Sequence, residues 1–208
     1  MNPEPDLEPS KELSYLLGVR YGDMRLMKER YVGILVKDKD FAEEFARCIN
    51  VIFSKKCILW QDKRGHWGMS VSSRIFYEYM TLPLDLHKGI IEMFPEEFLR
   101  GFFDSEATVN SYNIRVGITD KDVLKYVEWL LNQLWIETRW YEFESDRKNI
   151  GRSYIMSNGS IVTCKKMRYT LDINKHDSRL LFSETIGFSI RRKAEKLREK
   201  LKTLGVSK

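Results

Sequence analysis

Apolar residues fall in short blocks along this chain, and the blocks switch between two periods. Leu13-Ser-Tyr-Leu-Leu-Gly18-Val is apolar almost throughout. Ser10 before it is a good N-cap, so a buried helix is predicted from there to about Asp23. Met24 to Lys37 reads as a hairpin, with Lys28-Glu29-Arg30 at its tip and Tyr31-Val-Gly-Ile-Leu-Val36 as its second strand. Phe41, Phe45, Ala46, Ile49 and Ile52 recur at helical spacing. Strands are predicted at Cys57-Ile-Leu-Trp60 and Trp67-Gly-Met-Ser-Val71, around a turn at Asp62-Lys-Arg-Gly65. A short helix, Ser73 to Met80, ends before Pro83, and Leu84 to Phe94 is read as a connection. Pro95 suits the first position of another helix, with Glu96 and Glu97 favourable in its first turn.

The same order then returns. Ala107 to Thr119 reads as a hairpin, and Val123, Val127, Leu130, Leu131 and Leu134 mark a second amphipathic helix. Strands follow at Ile136 to Phe143 and Lys165 to Ile173, separated by a polar, basic insert from Glu144 to Thr163. Ser178 to Ile186 forms a helix, Gly187 breaks it, and a last helix covers Ser189 to Leu204. Asp38-Lys-Asp40 and Asp120-Lys-Asp122 precede the two amphipathic helices at an offset of 82, and Asp23 and Glu106 lie 83 apart. Two landmarks that agree within one residue indicate an internal duplication. The expected fold class is therefore α+β: two pseudo-symmetric αββαββα halves, residues 1–94 and 95–208, each with an antiparallel sheet.

The first helix of each half carries two small residues four apart, Gly18 and Gly22, then Gly101 and Ser105. Small residues at that spacing share one helix face and let two backbones approach closely. Packing on that face brings Asp23 and Glu106 to one place. Two carboxylates held together are costly to ionise without a cation, and hard divalent ions prefer such oxygen ligands.

Composition narrows the function classes. Apolar residues at 43% can build a core, and 31% charged with 12% aromatic argues against disorder. No apolar run is long enough to span a membrane, and the acidic start lacks a secretory pattern. Cys48, Cys57 and Cys164 are widely spaced, form no ligand cluster, and fit a reducing, intracellular setting. The net charge is +5, but the stretch from Phe188 to Lys208 alone supplies about that excess, leaving the body near neutral. His66, His87 and His176 are isolated from one another and read as structural or surface residues.

The two stretches Leu13 to Asp23 and Glu97 to Glu106 resemble the paired motifs of LAGLIDADG homing endonucleases in their single-chain form, and the resemblance covers nearly the whole chain. One departure is that Met24 and Ala107 follow the acids, where family members often carry Gly. The resemblance implies a monomer with an internal pseudo-twofold, its two sheets forming a saddle over double-stranded DNA, and site-specific hydrolysis of both strands. It implies Asp23 and Glu106 as catalytic metal ligands, with the carbonyls of Gly22 and Ser105 as further oxygen donors. Mg²⁺ is the expected cofactor; Mn²⁺ can replace it, and Ca²⁺ binds without cleavage. The family's basic or polar residue near each site falls on Lys37 and, in the other half, Asp120, which departs from the pattern and implies unequal strand rates. Arg191, Arg192 and Lys193 resemble the family's basic segment before its last helix. An intron RNA maturase, or a non-cleaving DNA-binding protein of the same fold, is the alternative.

Strand parity extends this to DNA contacts, since alternate side chains of a two-stranded ribbon can address base edges in the major groove. Ile114, Val116 and Ile118 are expected to face the core, with Asn113 and Arg115 outward. Tyr169, Leu171 and Ile173 face in, leaving Arg168, Thr170 and Asp172 outward. Arg25, Ser70 with His66, Arg139 and Tyr141 join the outward set, and Arg191 and Lys193 complete the DNA-binding candidates. Lys63, Arg64, Arg147, Lys148 and Arg152 lie in turns and are expected on phosphates.

Overall fold

A computed structural model of the chain describes residues 4–144, 151–155, 161–163 and 167–204. Its centre is the pair of helices α1 (Lys11–Arg20) and α5 (Pro95–Glu106), which make the most extensive contact between any two elements described. Glycine permits it. A Cβ on Gly18 would stand 2.0 Å from the Phe98 carbonyl oxygen, and one on Gly101 2.2 Å from that of Tyr15. Backbone lies directly on backbone there. Ser14 Oγ donates to the Phe94 carbonyl at 2.8 Å and fastens the opposite end of the pair.

Each half adds one four-stranded antiparallel sheet. The first has the order β1 (Arg25–Met27), β2 (Tyr31–Val36), β4 (Trp67–Ser72), β3 (Trp60–Gln61). The second has β5 (Ala107–Val109), β6 (Ile114–Ile118), β10 (Met167–Ile173), β7 (Arg139–Glu144). The topology is the same in both. Helix α2 (Lys39–Ile52) packs on Val32, Ile34, Met69 and Val71 of the first sheet, and α6 (Lys121–Gln133) on Val116 and Leu171 of the second. In β4 and β6 buried and open positions alternate with the pleat, with the open set on the face away from α2 and α6. Asp38 and Asp120 are the N-caps of α2 and α6, so the offset of 82 read from sequence is a structural register.

Several boundaries differ from the sequence reading. Helix α1 stops at Arg20, and Gly22 and Asp23 lie in the turn beyond it, where the amides of Gly22 and Met24 both bond the Val19 carbonyl. α5 runs through Glu106 with no such turn, which explains the extra residue in the 83 offset. Strand β3 is two residues long because Asn50 Oδ1 accepts the Cys57 amide at 2.6 Å and draws that segment onto α2. Leu84–Met93 is a helix, α4, rather than a connection; Pro83 precedes its first turn, where the missing amide costs nothing. Helix α3 spans Arg74–Thr81, α7 His176–Thr185 and α8 Arg191–Leu204. The basic insert contains a separate hairpin, β8 (Ser153–Ile155) with β9 (Ile161–Thr163), while Arg147, Lys148 and Cys164 fall outside the described residues.

Candidate active site at the helix ends

The α1–α5 crossing places Gly22, Asp23, Ser105 and Glu106 side by side. A Cβ on Gly22 would lie 2.3 Å from Ser105 Cβ and 2.9 Å from Glu106 Oε1, so the Glu106 carboxyl rests against the turn that carries Asp23. Two cavities flank this point. One, of about 400 Å³, is lined by Asp23, Lys37, Asp38, His66, Glu106 and Lys193. The other, of about 680 Å³, is lined by Arg20, Gly22, Glu106, Thr119, Asp120 and Arg168. Glu106 borders both.

The electrostatics are those of an under-compensated acid pair. Burial pushes Glu106 up to about 7, the charge of Asp23 adds to the rise, and Lys193 and Arg168 oppose it. Asp23 is open to solvent as a residue, yet the protein packed around its carboxyl raises it as well, against Lys193 and Arg25. Among the described residues no third acid, histidine or cysteine completes a ligand cluster. Two desolvated carboxylates with neighbouring carbonyls suit a hard divalent ion that keeps part of its water shell.

The proton linkage has a measurable consequence. A raised native pKa means that the folded protein holds a proton which the unfolded chain releases near pH 4.5. The contribution of this group is therefore fully favourable below that pH and is lost as pH rises through about 7. The shift for Glu106 corresponds to roughly 3 kcal/mol. Urea unfolding of chelator-treated protein at pH 5 and pH 8 should show a smaller decline for Glu106→Gln than for wild type, the remainder belonging to Asp104 and Asp23, whose carboxyls burial also raises.

Lys193 was expected on DNA, but it is buried at 7% exposure. Its ammonium donates to the carbonyls of Phe103 at 3.1 Å and Asp104 at 2.6 Å. Burial lowers its pKa, while Asp104 and Asp23 hold it up. It acts as a fixed cation behind the acid pair. The sequence reading missed the residue that supports it. Asp104 is 1% exposed and accepts from the Ser189 amide, Ser189 Oγ at 2.6 Å and Tyr15 Oη at 3.0 Å. It ties the chain entering α8 to the end of α5. Asp104 stands two residues before Glu106 in the motif, and that position was the available signal. Burial pushes Asp104 up to about 6.

Lys37 is exposed and borders the first cavity. The helix-cap register makes Thr119, rather than Asp120, its counterpart. Asp120 caps α6 through the amides of Asp122 and Val123, whereas Asp38 instead bonds Arg192 at 2.9 and 3.1 Å. Arg191 is exposed, with its amide bonded to Asp40.

On the open sheet faces, Arg25 stands across from Gly33, which pairs in turn with the exposed Ser70. His66 is held by Asp62 at 3.2 Å, while His87 is buried with Nε2 3.1 Å from the Tyr79 carbonyl. On the second sheet Arg115, Arg139 and Arg168 are exposed and Asn113 and Tyr141 partly so. Thr170 and Asp172 point to this face as expected but are buried, at 7% and 2% exposure. Thr170 is covered between Gly117 and Tyr141, and Asp172 lies under Asn113 and Arg115. Lys63, Arg64 and Arg152 are exposed.

Residues 93–187 match the family model described as a LAGLIDADG-like domain. The chain is 31% identical over 207 residues to the uncharacterised protein MJ0398 of Methanocaldococcus jannaschii, an alignment covering 96% of this chain and 74% of that one. A second uncharacterised protein of that organism, MJ0314, is 33% identical over 115 residues, covering 50% of this chain and 44% of its own length. Among solved structures, the homing endonuclease I-DmoI in complex with DNA and Mn superposes with a TM-score of 0.59 at 19% identity, covering 85% of this chain and 96% of I-DmoI. Full-length DUF199/WhiA from Thermatoga maritima gives a TM-score of 0.61 at 16% identity, covering 98% of this chain and 64% of that protein. At such identities these superpositions speak for the fold. A relative aligned along almost all of the chain, a family model matched across its second motif, and a duplicated fold built on the crossed glycine helices converge on one assignment: the chain belongs to the LAGLIDADG family.

Proposed function

We propose that the chain is a site-specific, divalent-metal-dependent DNA endonuclease that breaks both strands of a long duplex target by phosphodiester hydrolysis. The observation that carries this is the meeting of Asp23 and Glu106 across the glycine crossing, with both carboxyls raised by burial. A pure binding protein has no chemical need for that arrangement. I-DmoI, of the same fold, is described in complex with DNA and Mn and with DNA and Ca, which supports a duplex partner and a divalent ion here.

Asp23 and Glu106 would hold the ion, with the Gly22 and Ser105 carbonyls as neighbouring donors; Mg²⁺ is the proposed cofactor, Mn²⁺ its substitute, and Ca²⁺ the ion that binds without cleavage. When bound, the ion supplies positive charge and Lewis acidity to the scissile phosphate and the attacking water. The remaining work belongs to the chain. Lys37 and Arg168, one bordering each cavity, offset phosphate charge and align the water. Lys193 holds the end of α5 in place and limits the repulsion between the acids. The surroundings are unequal, with Lys37 on one side and Thr119 and Asp120 on the other, so the two strands are cut at different rates. The internal duplication lets a monomer address a duplex, one half to each strand.

A second reading, a non-cleaving DNA binder or an intron RNA maturase, is favoured by Lys193 alone, since its ammonium already partly neutralises the acid pair. Duplex binding tests the part that both DNA readings share. Affinity should fall by roughly 0.9 log units per log unit of salt for each phosphate neutralised. Titration of a mixed-sequence duplex between 50 and 200 mM salt checks this, and a flat response would remove duplex DNA as partner.

A further inference from the structure

We infer that Asp172 is a positioning residue that presents Arg115 to the major-groove edge of a guanine, an inference that rests on the DNA reading above. Arg115 on β6 and Asp172 on β10 are directly paired across the ladder. Arg115 Nε donates to Asp172 Oδ1 at 2.7 Å and Nη2 to Oδ2 at 2.6 Å, while Asn113 Nδ2 donates to Oδ2 at 2.5 Å. The carboxylate is 2% exposed and the arginine side chain 48%.

A guanidinium has two edges that can donate a pair of parallel hydrogen bonds. The Nε/Nη2 edge is taken by Asp172. The edge formed by Nη1 and the outer hydrogen of Nη2 has no partner among the described residues. Guanine offers two acceptors, O6 and N7, along its major-groove edge, and they match that second edge. Across the ladder on the other side stands Thr108, short and exposed, which leaves the approach open.

Charge separates base reading from phosphate gripping. Asp172 neutralises Arg115, so the pair adds little to attraction by the phosphate backbone. An arginine already fixed in one rotamer also loses less freedom when it meets a base. The triad is thus built for discrimination rather than for affinity. Arg139, facing Asp172 from β7 and exposed, carries no such clamp and fits a phosphate.

The experiment is selection of bound sequences from a randomised duplex library in Ca²⁺, for wild type, Arg115→Ala and Asp172→Asn. Wild type should show one position with a guanine preference of about 5- to 150-fold. Arg115→Ala should erase that preference and leave the other positions and the salt slope unchanged. Asp172→Asn should weaken the same preference with Arg115 still in place. Asp172→Asn that keeps the full guanine preference would overturn the positioning role; if Asp172→Asn does not fold, Asp172→Glu, which keeps the charge but moves the carboxylate by one methylene, decides it by the same loss of preference. A preference matrix unchanged by Arg115→Ala, with or without a fall in melting temperature, would make the triad a structural strap and overturn the inference while leaving the DNA reading intact. No duplex bound by wild type would overturn both.

Discussion

Glu106→Gln and Asp23→Asn should each slow cleavage by about 10³-fold or more, with duplex binding changed only a few-fold. A bound divalent ion contributes several kcal/mol of charge stabilisation at a phosphoryl centre, and each 1.36 kcal/mol is tenfold in rate. The amides keep the shape of the acids but lose the charge that would hold the ion. Neither change removes a core contact, because both side chains border open cavities. The metal-free fold should become more stable with Glu106→Gln above pH 7, since the substitution removes a buried charge and its repulsion with Asp23. Because Glu106 borders both cavities and Asp23 only one, Glu106→Gln should impair both strands and Asp23→Asn one strand more than the other. Cleavage of a strand-labelled substrate, beside a binding isotherm in Ca²⁺, reads both effects. Joint loss of folding and binding would make the acids structural instead.

Gly18→Val or Gly101→Val should prevent stable folding. Overpacked core positions ordinarily cost about 1–3 kcal/mol because side chains can yield. Here the obstacle is backbone: the first added carbon would stand 2.0 Å from the Phe98 carbonyl oxygen at Gly18, and 2.2 Å from that of Tyr15 at Gly101. The helices would have to separate, carrying Asp23 and Glu106 apart. The cost approaches the whole stability of a domain, about 5–15 kcal/mol. Even Gly18→Ala should lower the melting temperature by about 10 °C or more. Gly89 in α4 is the control, because a Cβ there meets nothing within 4 Å; Gly89→Ala should stabilise the chain by about 0.5–1 kcal/mol. Thermal melts of the four variants decide the matter, and a Gly18→Ala protein as stable as wild type would contradict the crossing.

Duplication makes the architecture legible in the sequence. Landmarks 82 and 83 residues apart mark equivalent elements, and small residues four apart announce a face that only another backbone can fill. Period-two alternation gave the inward sets of β6 and β10 correctly, because register on a half-buried sheet is dictated by burial. What the pattern cannot show is which outward side chain is spent inside the protein. Asp172 and Thr170 have the right parity, yet cross-strand neighbours cover them. Lys193 looks like one more residue of a basic run, and only the fold shows its ammonium turned in to the end of α5. Asp104 escaped notice because its partners lie 85 and 89 residues away. Helix α4 was hidden because only His87 and Ile91 are buried, too few for a periodic signal.

The most direct test of the central claim is cleavage of a randomised duplex library by the intact chain, in parallel reactions with Mg²⁺, Ca²⁺ or chelator. The account predicts double-strand breaks at one long sequence with Mg²⁺ and none with Ca²⁺ or chelator. Sequence-selective binding without a break under any ion would contradict the endonuclease reading and leave the chain a binder built on the same crossed helices.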